Sequence, residues 1–258
     1  MLVTQKIFSI YKLAIIEAIA SFGDKEGSFS KEIAQYYNQY CKCNTIRRKE
    51  IVIEYEPHFK HFIGIFRIQR GLPVIKRYNF IEFILEEYLK ELNKAYTPGN
   101  IENYAKIAKS NGYTRGVQIS CFSKIAFIFR PSIYFPYDSR ARNTLNRYIN
   151  EKKLYFNIEK NYINYMKVVD MIFNELLKEY NFFPLIKSKD YIKELRINRK
   201  KFDNRYNNFL KNCDILAIDD IDRFILRRAL DKSLMIIGGL NFNNLAAVKE
   251  GILESLDK

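Results

Sequence analysis

The chain has 258 residues, 48% apolar and 28% charged; a chain of this length buries about three quarters of its unfolded surface, so intrinsic disorder over most of it is excluded. With only 10 Gly and 6 Pro, collagen-like and loop-dominated architectures are excluded too. Lys and Arg number 43 against 29 Asp and Glu, a formal net charge of +14, which points to a polyanionic partner, either nucleic acid or an anionic membrane surface.

The abundance of Lys, Asn, Ile, Tyr and Phe has the look of AT-biased coding. That bias would raise Glu as well, so it explains the lysines better than the asymmetry of sign. The four cysteines, Cys41, Cys43, Cys121 and Cys213, imply no disulfide framework, because a chain of this length needs no staples. Lys6, Lys12 and Glu17 interrupt the N-terminal apolar stretch, so it reads as an amphipathic helix and not as a secretory signal. No run approaches 18 apolar residues, so no membrane span is expected. The expected setting is a reducing cytoplasm.

Taken in order, most of the chain reads as helix. Over 5–22 the polar residues Gln5, Ser9, Lys12, Glu17 and Ser21 recur every three to five positions, a single wet stripe on a mostly buried helix. Residues 23–27 read as a break. A second helix is predicted over 30–40, with Ser30 as its N-cap. Residues 44–77 read as mixed: β-branched Ile51, Val52 and Ile53 predict at most a short β element near 51–55, and Pro57, Gly64, Gly71 and Pro73 punctuate the remainder.

Within 42–77, nine basic residues (Lys42, Arg47, Arg48, Lys49, Lys60, Arg67, Arg70, Lys76 and Arg77) face three acids. That is a phosphate-facing surface or a solvated loop, and the sequence does not separate the two. Helical periodicity returns over 78–96, with Ile81, Leu85, Tyr88, Leu92 and Ala95 stepping by four and three. Thr97-Pro98-Gly99 stops it. A helix over 101–110 ends at Asn111-Gly112, and an apolar helix over 118–130 ends at Arg130-Pro131. A helix over 139–150 and a long one over 158–180 follow.

The segment 187–211 carries nine Lys and Arg against three acids. A last helix, 219–231, opens on Asp219, Asp220 and Asp222, carboxylates that suit a helix N-terminus. There is no internal repeat. The domain division expected is an N-terminal helical extension with its basic segment, 1–75, and a helical body, 76–258.

The chemistry concentrates in 119–145. Lys124 lies inside an otherwise apolar helix. Burying an ammonium is costly and lowers its pKa, and the neutral amine is what Schiff-base chemistry requires. Fourteen residues on, Asp138 stands at the mouth of the next helix, and Pro131 and Pro136 turn the chain between them. Structural roles are available to both: lysine snorkels from an apolar helix, and Asp138 before Ser139-Arg140-Ala141 is a good N-cap.

Cys41, Cys43, His58 and His61 are the one other constellation with ligand chemistry. The C-x-C and H-x-x-H spacings are tighter than those of zinc fingers, and no metal is expected. Asp219, Asp220 and Asp222 are the only carboxylate cluster. No Walker loop, dinucleotide fingerprint or Ser/His/Asp arrangement is visible.

The run Ser123-Lys124-Ile125-Ala126, followed by Phe135-Pro136-Tyr137-Asp138-Ser139-Arg140, resembles the catalytic segment of the helix-hairpin-helix DNA glycosylases, in particular the 8-oxoguanine-glycosylase-like branch of small bacterial proteins. In that superfamily a hairpin leads into a helix carrying a lysine, and an aspartate follows at the next helix start. The resemblance covers about 30 residues. It implies a mainly α, two-lobed helical bundle that flips a nucleotide out of duplex DNA.

On that resemblance the amine of Lys124 attacks C1′ and displaces the base, with or without strand cleavage. Asp138 stabilises the cationic sugar. Ser139, Arg140 and Arg142, with Gly116, Ser120 and Ser123 around the hairpin, are the DNA-binding candidates, and Arg140 reaches a flanking phosphate. The hairpin glycines usual before the lysine are not present; Gly116 is the nearest. The cysteine ligands of the iron–sulfur branch are missing, so no cofactor is expected. The resulting expectation is a cytoplasmic, monomeric DNA glycosylase, with defence against phage DNA carrying modified bases as one role the resemblance leaves open. The alternatives are a non-catalytic DNA-binding protein on the same scaffold, using 42–77 and 187–211 for backbone contact, and a nucleic-acid-directed toxin or nuclease.

Overall fold

The computed structural model describes residues 2–66, 68, 72, 76–94, 96–179, 184–239 and 250. These are mainly α-helical, with no strand among the described residues. In chain order the helices are α1 (Val3–Ser21), α2 (Gly27–Lys42), α3 (Thr45–Ile65), α4 (Arg77–Phe83), α5 (Leu89–Lys94), α6 (Gly99–Ser110), α7 (Ile119–Phe129), α8 (Ser139–Glu151), α9 (Tyr162–Glu179), α10 (Pro184–Glu194), α11 (Arg199–Ile215) and α12 (Ile221–Gly239). Phe22–Glu26 joins α1 to α2 as a π turn, and Ile84–Tyr88 joins α4 to α5 in the same way. No described helix is long and apolar enough to cross a membrane.

The chain forms two compact units. Unit one is Met1–Ser28, Asp138–Glu159 and Asn164–Lys258; unit two is Phe29–Tyr137 and Lys160–Ile163. They part at 28/29 and 137/138, whereas the sequence reading divides the chain at 75/76.

In unit one, α1 packs on α12, and α12 in turn on α8. The wet stripe of α1 is as expected: Gln5, Ser9, Lys12, Glu17 and Ser21 all stay out of the core. The break expected at 23–27 is not one. The helix runs on through the π turn, and its glycines serve close approach. A Cβ on Gly23 would stand 2.0 Å from the Arg205 carbonyl oxygen, and one on Gly27 would stand 2.1 Å from Asn212 Nδ2. Asn212 Nδ2 donates to the Phe22 carbonyl at 2.9 Å, locking α11 onto the turn. Ser30, expected as an N-cap, lies buried inside α2.

The interior of unit one also holds charge. Arg228, 3% exposed, donates to Asp231 and to Glu26, each at 2.6 Å. Lys232 pairs with Glu26 at 3.0 Å and lies 3.8 Å from Glu17. Burial alone would raise the pKa of Glu26, but the two cations overcome it and hold the carboxyl down to about 2. Asp231 is the reverse: burial outweighs Arg228, and its pKa lies above the ordinary value.

In unit two the expected β element at 51–55 is replaced by helix. Asn44 caps α3 by accepting from Arg47 N at 3.0 Å. Ile51, Val52, Tyr55, Phe59, Phe62 and Ile63 form its buried face, whereas Ile53 is 60% exposed. That is the i, i+4, i+8 pattern of a helix, which overrides the strand preference of β-branched residues. The core is aromatic. Phe122 meets Tyr88 edge-on at 4.9 Å and Phe80 at 5.9 Å, and Tyr88 Oη donates to the Phe122 carbonyl at 2.8 Å.

Candidate functional site

The segment that carries the candidate chemistry is built from α6, a hairpin turn and α7, which packs on α6. As expected, Asn111-Gly112 ends α6. Gly112 takes φ +68°, the left-handed conformation that glycine adopts without penalty. Tyr113 N then bonds back to the Ala108 carbonyl at 2.8 Å, closing the helix end. Thr114 Oγ1 donates to the Gly116 carbonyl at 2.8 Å and shapes the turn. Gln118 opens α7 without a side-chain cap, and no acid occupies the first turn.

On α7, Ile119, Cys121, Phe122, Ser123, Ile125, Ala126, Phe127 and Ile128 are buried, while Ser120 and Lys124 are half-buried. These two are four residues apart and so share one face. Lys124 Nζ donates to the carbonyl of Phe66, the C-cap residue of α3, at 3.1 Å. A cation there satisfies an open carbonyl and complements the negative end of the helix dipole. Beside it, burial pushes the Cys121 thiol up to about 12 against the pull of Lys124. This cysteine is therefore no competing nucleophile.

Asp138 is the N-cap of α8, and its Oδ1 accepts from Arg140 N at 2.8 Å. The turn that leads to it is buried and tied down. Arg130 Nη1 donates to the Leu92 carbonyl at 2.8 Å. Tyr162 Oη donates to the Phe135 carbonyl at 2.7 Å and accepts from Phe135 N at 3.2 Å. Tyr137 Oη accepts from Lys160 N at 2.7 Å.

One further bond matters most. Tyr137 N donates to Ser123 Oγ at 2.8 Å, and that hydroxyl donates to the Ser120 carbonyl at 3.0 Å. Ser123 directly precedes Lys124, and Tyr137 directly precedes Asp138. One hydrogen bond thus clasps the chain within a single residue of each candidate.

Ser123 is fully buried and both functions of its hydroxyl are used. Its expected role as a DNA contact gives way to this internal one. Gly116 is half-buried in the hairpin turn, and Ser139 and Arg140 are exposed on the first turn of α8. Arg140 lies against α12, where a Cβ on Gly238 would stand 1.7 Å from its carbonyl oxygen. Arg142 is engaged by Glu159.

The clasp and the tyrosine ties were not legible as such. The available signal was Ser123 itself, a polar residue on the buried face of an apolar helix, which demands a partner.

The basic segment 42–77 is less available to phosphate than its count implies. Arg47 pairs with Glu50 and Glu54, Arg77 with Glu56, and Arg48 Nε donates to the carbonyls of Tyr40 and Cys43. Arg67 and Arg70 lie outside the described residues. His58 pairs with Glu32 at 3.2 Å and His61 packs on the Phe29 ring. Asp220 Oδ1 accepts from Arg223 N at 2.9 Å, a helix cap. Among the described residues no three His, Cys, Asp or Glu side chains gather as a metal site.

Compared with known proteins, the chain matches no family model, no curated protein and no solved structure.

Proposed function

We propose that the protein is a DNA glycosylase that excises a damaged or modified base from flipped-out DNA, with Lys124 as nucleophile and Asp138 as the stabiliser of the cationic sugar. The observation that carries the reading is the Ser123–Tyr137 clasp. It fastens the helix bearing Lys124 to the Tyr137 peptide within unit two, and a covalent mechanism needs its nucleophile carried on a fixed backbone. The chain order adds support: hairpin, helix with lysine, buried turn, aspartate at a helix start.

In the reaction Lys124 first releases its ammonium proton to water, and the neutral amine then forms a bond to C1′ as the bond from C1′ to the base breaks. The base leaves with the electron pair and takes up a proton. The carboxylate of Asp138 offsets positive charge on the sugar. Opening of the sugar ring gives a Schiff base, from which β-elimination nicks the strand or hydrolysis frees the enzyme. On this reading the protein acts in the cytoplasm as a monomer and without a cofactor.

A second reading, a DNA-binding protein without catalysis, is favoured by one observation. Lys124 and Asp138 both hold structural posts, as cap of α3 and cap of α8.

Borohydride trapping separates the two. The native protein and Lys124→Ala are incubated with duplexes carrying an abasic site or one of a panel of modified bases. The glycosylase reading expects a covalent adduct that the variant loses. Base release without an adduct, abolished in Asp138→Asn, would mean that water is the nucleophile. Neither adduct nor base release across the panel, phage-type modified bases included, overturns the proposal in favour of the second reading.

A further inference from the structure

Three helix faces of unit one meet at a pocket. α12 lends it positions 226, 229, 230 and 233, the i, i+3, i+4, i+7 spacing of a single helix face. α1 lends positions 7, 8, 11 and 15, and α9 lends 173, 176 and 177. No lining residue carries a charge. The floor, with Ile15, Phe173 and Leu230, is buried. The rim is apolar and meets solvent: Phe8 is 42% exposed, and Leu176, Leu177 and Leu226 are half-buried.

One floor residue breaks the pattern. Where the spacing of α12 calls for a fourth apolar side chain stands Ser233, which is buried. Its Oγ is shut off from solvent and has no hydrogen-bond partner. A serine inside a helix commonly donates to the carbonyl four residues back, and that bond, to Ala229, is not made. Leaving a buried hydroxyl unpaired costs free energy that an alanine would not, so this hydroxyl calls for a partner from outside the chain. Water fits poorly. A buried water needs two to four polar partners, and the other hydroxyl of the lining, that of Tyr11, is hydrogen-bonded with Tyr191. An ion fits worse, because the lining holds no charge to balance it. The empty space, open mouth included, is about 450 Å³, an upper limit that admits one ring or a short chain.

We propose that this pocket binds a small uncharged apolar molecule, one ring or a short alkyl chain, whose single hydroxyl or carbonyl oxygen reaches Ser233 Oγ. An apolar lining with one placed polar group is the usual anatomy of a small-molecule site. The apolar part of the ligand displaces water from Phe8 and the three rim leucines. The site belongs to unit one and Lys124 to unit two, and the proposal does not rest on the chemistry assigned to that lysine.

The test is titration of the full-length protein with two matched pairs, 1-hexanol with n-hexane and benzyl alcohol with toluene, and with hexanoate. Binding is read from methyl NMR shifts of the isoleucines and leucines and from the unfolding temperature. At least one alcohol should bind saturably and raise the unfolding temperature, with shifts centred on Ile7, Ile15, Leu226 and Leu230. Hexanoate should bind at least about 10-fold more weakly than 1-hexanol, because its charge would be buried unpaired. Ser233→Ala should weaken the bound alcohol about 3- to 10-fold and leave its hydrocarbon counterpart unchanged. Without ligand this variant should unfold no earlier than the native protein, since it loses no internal bond; a serine with a structural role would lower the unfolding temperature when replaced.

No saturable binding of either alcohol up to its solubility limit overturns the proposal. So do shifts centred away from the pocket, hexanoate binding as tightly as 1-hexanol, an equal effect of Ser233→Ala on alcohol and hydrocarbon, or an unliganded Ser233→Ala that unfolds early. Dimerisation that the alcohols reverse overturns it too, because a second copy would then be the occupant. Base release enters none of these readouts, so the glycosylase reading stands or falls separately.

Discussion

Phe29–Tyr137 and the helices α1 and α12 bury polar groups in opposite ways. In the former the buried polar contacts around the candidate segment are neutral: Ser123 with Tyr137, Tyr88 with Phe122, Tyr162 with Phe135. Around α1 and α12, beside neutral bonds such as Thr144 Oγ1 to the Leu234 carbonyl, there is a buried ionic cluster, with Glu26, Arg228, Asp231 and Lys232 out of water and Glu17 at the margin. Neutral hydrogen bonds fix geometry and keep it at any pH that leaves the chain intact. Buried ion pairs make packing depend on proton concentration, and they cost heavily when one partner is removed. The lesson is a division of labour: the clasp and tyrosine bonds beside the candidate chemistry do not titrate, whereas the cluster at α12 does.

The comparison breaks most severely at Arg228. Arg228→Met leaves Glu26 and Asp231 buried beside a single cation, Lys232. The expected loss is about 3 to 5 kcal/mol, the usual cost of orphaning a buried charge, read by urea unfolding. A variant as stable as the native protein would show that the network contributes nothing to holding α12.

Next comes the acid limb of the stability curve. The Glu26 carboxyl sits at about 2 in the fold, against 4.5 for an ordinary glutamate. A depressed carboxylate stabilises the fold above its unfolded value, and that contribution disappears as pH falls from 4.5 through 2; on the linkage relation it amounts to about 3 kcal/mol. Asp231 runs the other way. Its folded pKa is raised, so its ionisation as pH rises through that value costs stability. Glu26→Gln should therefore flatten the loss of stability below pH 4.5, whereas Asp231→Asn should leave it in place. Acid titrations followed by near-ultraviolet circular dichroism would decide, and equal acid limbs in all three proteins would refute the assignment.

Ser123→Ala sharpens the other side of the contrast. It leaves the buried Tyr137 N–H without its acceptor, at about 1 to 3 kcal/mol, and that loss should be the same at pH 5 and pH 8. If base release is the activity, kcat should fall while affinity for DNA is kept, because the clasp positions and does not bind. A loss of affinity alone would contradict this. The smallest effect belongs to the exposed Lys12–Glu194 pair: Lys12→Ala should leave the melting temperature unchanged, since surface pairs contribute little.

Much of this was legible in the sequence where local rules decide. Asn111-Gly112 ends α6, Asp138 opens α8, and the polar stripe of α1 stands where its spacing put it. Reading failed where distant residues decide. Gly23 and Gly27 look like a break, but their lack of a side chain answers to Arg205 and Asn212. Ile51, Val52 and Ile53 look like a strand because three β-branched residues are adjacent. The step of four from Ile51 to Tyr55 to Phe59 was the better signal, and Ile53 stands in water. The basic residues of 42–77 read as a phosphate-facing surface or a solvated loop, yet Arg47 meets Glu50 and Glu54 on its own helix and Arg77 meets Glu56 of α3. Contacts such as Glu26–Arg228, 202 positions apart in the chain, have no local trace.

The π turn at Phe22–Glu26 also sets a phase. Glu17 and Glu26 both face Lys232, although nine positions in an uninterrupted α-helix correspond to two and a half turns, on opposite sides of the rod, about 180° apart. A π turn takes up roughly one extra residue, so the pair behaves as if eight positions separated them, about 80° apart. Straightening this turn into ordinary helix with its residues kept would restore the nine-position phase and swing Glu17 away from the ammonium it shares, whereas removing one residue along with the π turn would keep the pair in phase. The turn acts as a rotary setting: natural variants that lose the π turn while keeping the residue count should also change the charges at 17, 26 or 232, whereas variants that lose the turn together with one residue should keep them.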